Sequence, residues 1–446
     1  MFRLLNCIPG CRGPRYTRYY NEKSSTIIPD IAPTFSHVPP LTHRIPESHY
    51  QRRLIDQDFP SVFRGNPYAT KYRQYPMHEE VFEVIASPPD YTLPQPRSPH
   101  RETSRRRPPR RGGANYSTYA NDGHQDNAAT RRRIADETLA AIERGEIQIQ
   151  DSVFGFRDIV LQSRDNTIFY PPESILATWA ISTPASRSPL PAQLELYEGS
   201  TLHHARALLH DLSTRSAANE GAPARVGVLS FASATKPGGG FLSGAHAQEE
   251  SLARSSTLYT SLVTPTAAQF HELHRRDRRG GFYSHAMIFS PAVLVLRDDA
   301  GAWVSPYQIE VVTCAAVNAG VVRERAGDHP GSDTATQIEG TMRERMARIL
   351  FLFEQQGLRN IVLGSFGTGV FHNDVSMIAD IWFDLLADDG ARFMYSFDRV
   401  VFGIIDKRTV ERFKAVFQSR IEARSSTGWN SGNLNATPRS MLRVVG

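Results

Sequence analysis

The chain predicts an α/β layered domain behind a basic front segment that lacks the apolar patterning of a core. Three observations lead there. Short apolar runs of strand length alternate with stretches of helical periodicity from residue 130 onward. The runs are bounded by glycine and proline, as buried strands commonly are. Two glycine-rich loops each follow such a run, where an α/β sheet presents backbone amides to a ligand.

Taken in order, Thr130–Gly145 has the pattern of a helix closed by its glycine, with Arg131, Arg132 and Arg133 on a solvated face. Thr201 to Leu212 is a second helix, with Leu202, Ala205, Leu208 and Leu209 on one side. Val226–Phe231 is a strand between Pro223 and the turn Pro237–Gly240. Further strands are expected at Ala292–Leu296, Ile309–Cys314, Asn360–Leu363 and Arg399–Ile405. Glu249 to Leu262 can be one helix, and Ser332–Gln356 is a long one with Gly357 at its exit. In the long helix Ile338, Met342, Met346, Ile349 and Phe353 fall at helical spacing, so its methionines belong to a core.

The length of 446 residues, 40% of them hydrophobic, suffices for one or two cores. Only three cysteines occur, Cys7, Cys11 and Cys314, too few for a disulfide framework or a cysteine zinc site. No apolar run approaches the length of roughly 18 residues that a spanning helix needs, which predicts a soluble chain with no membrane partner. The net charge of +5 is uneven: residues 1–112 carry 18 Lys/Arg against 10 Asp/Glu, together with 17 of the 29 prolines. Residues 1–112 are therefore expected to be disordered. The run Arg97–Arg111 has the composition of a nuclear import signal or of a contact for nucleic acid or another polyanion, and equally of a solvated linker. Nucleus or cytoplasm is the expected location. The arginines of the first twenty residues faintly resemble a mitochondrial presequence, but Pro9 and Pro14 break the helix one would need. The segment 423–446 is expected to be a flexible tail.

The first glycine loop is Lys236-Pro-Gly-Gly-Gly-Phe-Leu-Ser-Gly-Ala-His-Ala-Gln-Glu-Glu250, and the second is Leu363-Gly-Ser-Phe-Gly-Thr-Gly-Val-Phe-His-Asn-Asp374. Neither ends in the Gly-Lys-Ser/Thr of a nucleotide-hydrolysing loop. Gly364, Gly367 and Gly369 have a spacing that suits a diphosphate held by backbone N–H groups. Glu249 and Glu250 are adjacent, and neighbouring helical residues diverge by about 100°, so they cannot oppose each other across a sugar. One of them at most is then a proton donor. The other would hold sugar hydroxyls, or the pair is simply favourable in a helix's first turn.

The stretch Phe231–Tyr259, with its triple glycine, short spacer and Gln-Glu-Glu, closely resembles the signature of the microbial-type poly(ADP-ribose) glycohydrolases, a macrodomain-related family. The likeness extends through Tyr283–Pro291, Val311–Asn318 and Gly364–Asp374, over about residues 130–420. It implies a three-layer α/β/α macrodomain-like fold with a mixed sheet over residues 113–422, and a monomer that hydrolyses ribose–ribose bonds without metal or cofactor. By position, Glu250 matches the family's catalytic acid and Glu249 the residue that binds ribose hydroxyls near the scissile bond. Gly238, Gly239, Gly240 and Gln248 match substrate-binding positions, Gly367, Thr368, Gly369 and Val370 the diphosphate loop, and Phe371 the aromatic that positions the terminal ribose. The implied partner is poly(ADP-ribose) or an ADP-ribosylated protein. Two positions depart from the family pattern: Ser233 stands where many members have asparagine, and Val317 where many have proline before Asn318. A binding module without turnover and a hydrolase of mono-ADP-ribosylated substrates are the competing readings. His246, His285 and His372 lie near the motifs without metal-ligand spacing, and Cys314 reads as a small buried hydrophobe.

Overall fold

The structure, a computed structural model, describes residues 127–183, 188–216, 224–277, 279–327, 333–426 and 442–444. The expectations for residues 1–112, including Arg97–Arg111 and the presequence-like start, lie outside the described residues.

Along the chain run α1 (Ala128–Arg144), the hairpin β1 (Glu146–Ile149) and β2 (Ser152–Gly155), α2 (Arg157–Asp165) and β3 (Ile168–Tyr170). Next come β4 (Gln193–Glu198), α3 (Thr201–Ser216), β5 (Gly227–Phe231), α4 (Gln248–Ser255), α5 (Leu258–Leu262) and α6 (Pro265–Arg276). The chain continues through β6 (Met287–Arg297), β7 (Trp303–Cys314), α7 (Ala319–Ala326), α8 (Thr334–Gln355) and β8 (Asn360–Leu363). It closes with α9 (Val375–Leu386), β9 (Arg399–Ile404), α10 (Lys407–Ser426) and β10 (Leu442–Val444). Eight strands form one mixed sheet in the order β10-β4-β9-β8-β5-β7-β6-β3. Neighbours from β10 to β7 are parallel, and β6 is antiparallel to both β7 and β3.

The period of two along each strand divides the interior into two cores, as a sheet covered on both faces requires. Leu229, Val312, Ile361, Leu363, Val400 and Phe402 face the side covered by α8, α9 and α10. Val228, Val311, Val362 and Val401, their strand neighbours, face α3, α5 and α6. The result is three layers, α/β/α. On α8 the expected stripe of Ile338, Met342, Met346, Ile349 and Phe353 is wholly buried, each side chain contributing about 1.5–3 kcal/mol. Among the described residues, no helix is long and apolar enough to cross a membrane.

Four of the differences from expectation have a clear tertiary reason. The run expected at Ala292–Leu296 is the second half of an eleven-residue strand, because Pro291 and the left-handed Ala292 (φ 51°) form a bulge that interrupts the apolar pattern. The expected helix Glu249–Leu262 breaks at Ser256, which is extended and bridges Val295, while Thr257 bonds Leu294 in both directions at 2.9 and 3.0 Å. The strand β4 has no counterpart among the sequence expectations, since it carries Glu195. That carboxylate is fully buried and accepts from Arg399 of the neighbouring strand at 2.6 and 3.0 Å and from the Tyr197 hydroxyl at 2.7 Å. Finally, the segment expected to be a flexible tail from 423 onward continues α10 to Ser426, and Leu442–Val444 adds a parallel edge strand to β4.

Candidate active site

Strand β5 lies between β7 and β8, and all three are parallel, so their C-terminal ends open side by side. The first glycine loop leaves β5, the second leaves β8, and Ala315–Asn318 leaves β7. The three segments touch: Phe231 packs on Phe366 with ring centroids 5.6 Å apart, and a Cβ on Gly367 would come within 2.5 Å of the Ala316 methyl.

In the first loop Gly238 (φ 67°) and Gly239 (φ 59°) are both left-handed, a conformation glycine adopts without steric cost. Gly239 has a second requirement, because a Cβ there would collide with Glu250 Oε1 and lie 3.0 Å from Glu249 Oε2. Both carboxylates thus reach back to one glycine, although their Cα–Cβ bonds diverge on the first turn of α4. Main-chain donors hold them: Gly240 N–H donates to Glu250 Oε1 at 2.9 Å, and Ser233 N–H to Glu249 Oε2 at 2.6 Å. The helix α1 supports the loop from behind, Arg131 Nε donating to the Gly244 carbonyl at 2.8 Å. Of the three arginines expected on a solvated face, Arg131 is therefore half-buried, and only Arg132 and Arg133 are exposed.

The two acids sit in different surroundings. Glu249 is 2% exposed, and its Oε1 is buried without a hydrogen-bond partner. Burial drives its carboxyl well above the ordinary carboxylate range, with the neighbouring charge of Glu250 adding to the rise against the N–H groups of Ser233 and Gly238. Glu250 is half-buried, and only Oε1 is engaged by the loop.

In the second loop Gly364 is pressed between the Gly403 carbonyl and the Phe231 ring, and the indole of Trp382 donates to the Gly364 carbonyl at 3.1 Å. Asn373 Nδ2 donates to the carbonyls of Val317 (2.7 Å) and Gly367 (2.9 Å), tying this loop to the one after β7. The tip is open. Nothing lies within 4 Å of a Cβ built on Gly369, and Val370 is 75% exposed. Phe371 turns inward, its ring 6.1 Å from that of Tyr283.

Glu249, Glu250 and Gly238–Gly240 therefore gather at the end of β5, opposite Gly367–Phe371 at the end of β8. Gln248 is placed differently from the expected substrate contact. Its Oε1 accepts from Phe231 N–H at 2.8 Å, and its Nε2 donates to the Leu229 carbonyl at 2.7 Å and Thr201 Oγ1 at 3.2 Å. The side-chain amide is spent on the end of β5 and the start of α3, where it positions α4. Tyr283 and His372 escape the sequence reading as strained positions. Both have φ near +55°, a strain that collects at functional sites. The Tyr283–Pro291 motif was the available signal for Tyr283, but backbone strain is invisible in it.

The departures at Ser233 and Val317 leave the acids undisturbed. Ser233 holds Glu249 through its main chain, while its hydroxyl accepts the Lys236 N–H at 3.3 Å. Val317 is fully buried, and its N–H, which proline would lack, points at Met342 Sδ at 3.3 Å. Cys314 is also fully buried, its thiol pushed up to about 12 by burial, so it is no nucleophile. His246 and His372 are exposed, whereas His285 is half-buried and driven down to about 2 by burial and the nearby Arg345 and Arg348. Among the described residues, no three His, Cys, Asp or Glu side chains gather as a metal site.

A family model, the microbial-type PARG catalytic domain, matches residues 135–298. Among solved structures, the poly(ADP-ribose) glycohydrolase of Thermomonospora curvata is 38% identical over 65% of this chain and 99% of its own, with a TM-score of 0.57. The same enzyme bound to the inhibitor ADP-HPD matches at 37% identity over 65% of this chain and 99% of its own, with a TM-score of 0.55. The poly(ADP-ribose) glycohydrolase of Deinococcus radiodurans in complex with ADP-ribose matches at 30% identity, over 61% of this chain and 99% of its own, with a TM-score of 0.50. No curated protein sequence matches the chain. With nearly the whole length of these structures matched, and the triple glycine and Gln248-Glu249-Glu250 brought together at one strand end, the chain belongs to the microbial-type poly(ADP-ribose) glycohydrolase family.

Proposed function

We propose that this protein is a poly(ADP-ribose) glycohydrolase that cuts the O-glycosidic ribose–ribose bond and releases ADP-ribose, with Glu250 as general acid and base. The observation that carries this reading is the convergence of both carboxylates on Gly239, facing a second glycine loop with an open tip. Because the acids approach from one side, a single group serves both half-reactions. Glu250 gives its proton to the departing ribose oxygen as the anomeric C–O bond breaks. It then takes a proton from water as the hydroxyl adds to the anomeric carbon, so the carboxyl ends as it began. A group that activates water must meet solvent, which favours half-buried Glu250 over the 2% exposed Glu249. Glu249, its carboxyl raised above the ordinary range by burial, is suited to hydrogen-bond a ribose hydroxyl through the unpartnered Oε1. The N–H groups of Gly367, Gly369 and Val370 are assigned to the diphosphate, while Thr368 N–H closes the loop onto the Ser365 carbonyl at 3.2 Å, and Phe371 is assigned to the terminal ribose.

Glu250→Gln keeps the shape and the Gly240 contact but supplies no acid proton. Release of ADP-ribose from purified polymer should fall by about 10²–10⁴-fold, with ADP-ribose binding by calorimetry nearly unchanged. Full activity in this variant would refute the acid assignment. The mono-ADP-ribose and binding-module readings are tested by the same assay with an ADP-ribosylated protein as substrate. The Arg97–Arg111 run, outside the described residues, is assigned to recruiting polyanions, polymer or nucleic acid. Deleting residues 1–112 should then leave turnover of short substrates unchanged while weakening capture of long polymer at low salt.

A further inference from the structure

A second concavity adjoins the site. It encloses about 770 Å³, within the range of roughly 300–1,000 Å³ typical of small-molecule pockets. Lys236, His274, Arg275, Asp277, Tyr283 and Arg325 are among its lining residues. The pocket shares both walls with the site already described. Lys236 closes the turn that carries Gly239, whose N–H donates to the Lys236 carbonyl at 3.0 Å, and Tyr283 packs against Phe371 of the opposite loop.

Its charge is one-sided. Asp277 is satisfied by Arg279, which grips both carboxylate oxygens at 2.7–2.9 Å. Among the described residues no ion pair engages Lys236, Arg275 or Arg325, so three cations line the cavity with no acid of their own, Arg275 Nη1 also donating to the Thr235 carbonyl at 2.9 Å. His274 adds a buried imidazole to the lining. It is 2% exposed, its Nε2 meets the Ser284 hydroxyl at 2.7 Å, and its Nδ1 has no partner. The floor is glycine for a reason, because a Cβ on Gly280 would come within 2.8 Å of the Arg325 guanidinium and displace it.

We propose that this pocket binds the ADP-ribose unit on the leaving side of the scissile bond, with Lys236, Arg275 and Arg325 around its diphosphate. The proposal rests on the glycohydrolase reading and extends it to the substrate's second unit. A compact concavity with a buried imidazole and a tyrosine suits a nucleotide better than an extended acidic peptide, which would need a groove. The polymer is then recognised on both sides of the bond that is cut, and chains longer than one unit are preferred.

The test uses the full chain and Arg325, which is exposed, forms no ion pair and lies outside the catalytic loops. Calorimetry on Glu250→Gln protein should show the ADP-ribose dimer binding about tenfold tighter than ADP-ribose, the worth of one or two charge-assisted contacts. Arg325→Glu in the same background should erase that advantage without changing ADP-ribose affinity. With Glu250 intact, Arg325→Gln should raise KM for polymer by about threefold and Arg325→Glu by about tenfold. In both, kcat should hold, and turnover of an aryl glycoside of ADP-ribose, which has no second unit, should not change. Equal affinity for dimer and ADP-ribose, or an unchanged KM for polymer, overturns the assignment. Loss confined to ADP-ribosylated protein substrates overturns it in favour of an acidic peptide. A wild type that prefers the dimer yet cleaves nothing refutes the glycohydrolase reading and supports the pocket.

Discussion

The two glycine loops use the same residue for opposite ends. In the first, each glycine is surrounded by the protein's own atoms: Phe241 and Ala253 at Gly238, both glutamates at Gly239, and Ala245 at Gly240. In the second, only the base is confined. Gly364 and Gly367 are enclosed by Gly403, Phe231, Ala316 and Asn373, but the tip at Gly369 and Val370 meets no protein atom that would exclude a side chain. The first loop is a mould for two acids, and Gly239 keeps a Cβ away from both carboxylates. The second is an arch held at its base and open at its tip.

The contrast breaks most sharply at Gly239. Gly239→Ala places a methyl group on the Glu250 carboxylate and demands a left-handed alanine, costing about 1–3 kcal/mol. Release of ADP-ribose should fall at least about 10²-fold, and a crystal structure should find Glu250 displaced. A variant with normal turnover would mean that the carboxylate is not held where the chemistry occurs.

A smaller effect separates the acids. The folded protein keeps the Glu249 proton to higher pH than the unfolded chain, whose carboxyl titrates near 4.5. The folded state therefore binds more protons above that pH, and wild-type stability declines as pH rises from about 4.5 toward the raised folded value. Glu249→Gln removes the titration and retains an oxygen for the Ser233 N–H. It should melt higher than wild type near neutral pH, the gap closing toward about pH 4, while its turnover drops. A melting difference independent of pH would place the burial cost elsewhere.

The mildest contrast lies within the second loop. Gly367→Ala forces a methyl toward Ala316 at 2.5 Å with φ at 78°, and should lower the melting temperature by several degrees. Gly369→Ala meets open space and should leave the melting temperature within about a degree or two. Any loss of ADP-ribose affinity in Gly369→Ala then reports contact with the ligand alone. Equal destabilisation by both would show that the tip is packed after all.

How much of this was legible beforehand depended on whether the determinant was local. Strands with unbroken apolar runs, such as Asn360–Leu363, were readable because both faces of a central parallel strand are dry. The strand carrying Glu195 was not, since the carboxylate is tolerable there only through Arg399, about two hundred residues away in the chain. The same division holds at the site. The Gln248-Glu249-Glu250 run beside a triple glycine announced itself, yet the hydrogen bonds of the Gln248 amide could not be read from it, because its partners, Phe231, Leu229 and Thr201, come from other elements.

The sequence by itself determined the alternation of strands and helices, the two glycine loops and the family signature with its adjacent glutamates, all properties written in residues close together in the chain. Tertiary structure decided which carboxyl is buried and raised above its ordinary range, where the Gln248 amide is held, and where the helix after the acids must break. It also decided that Lys236, Arg275 and Arg325 share a pocket. These depend on desolvation and on contacts between distant segments, and neither exists until three parallel strands bring their C-terminal ends together.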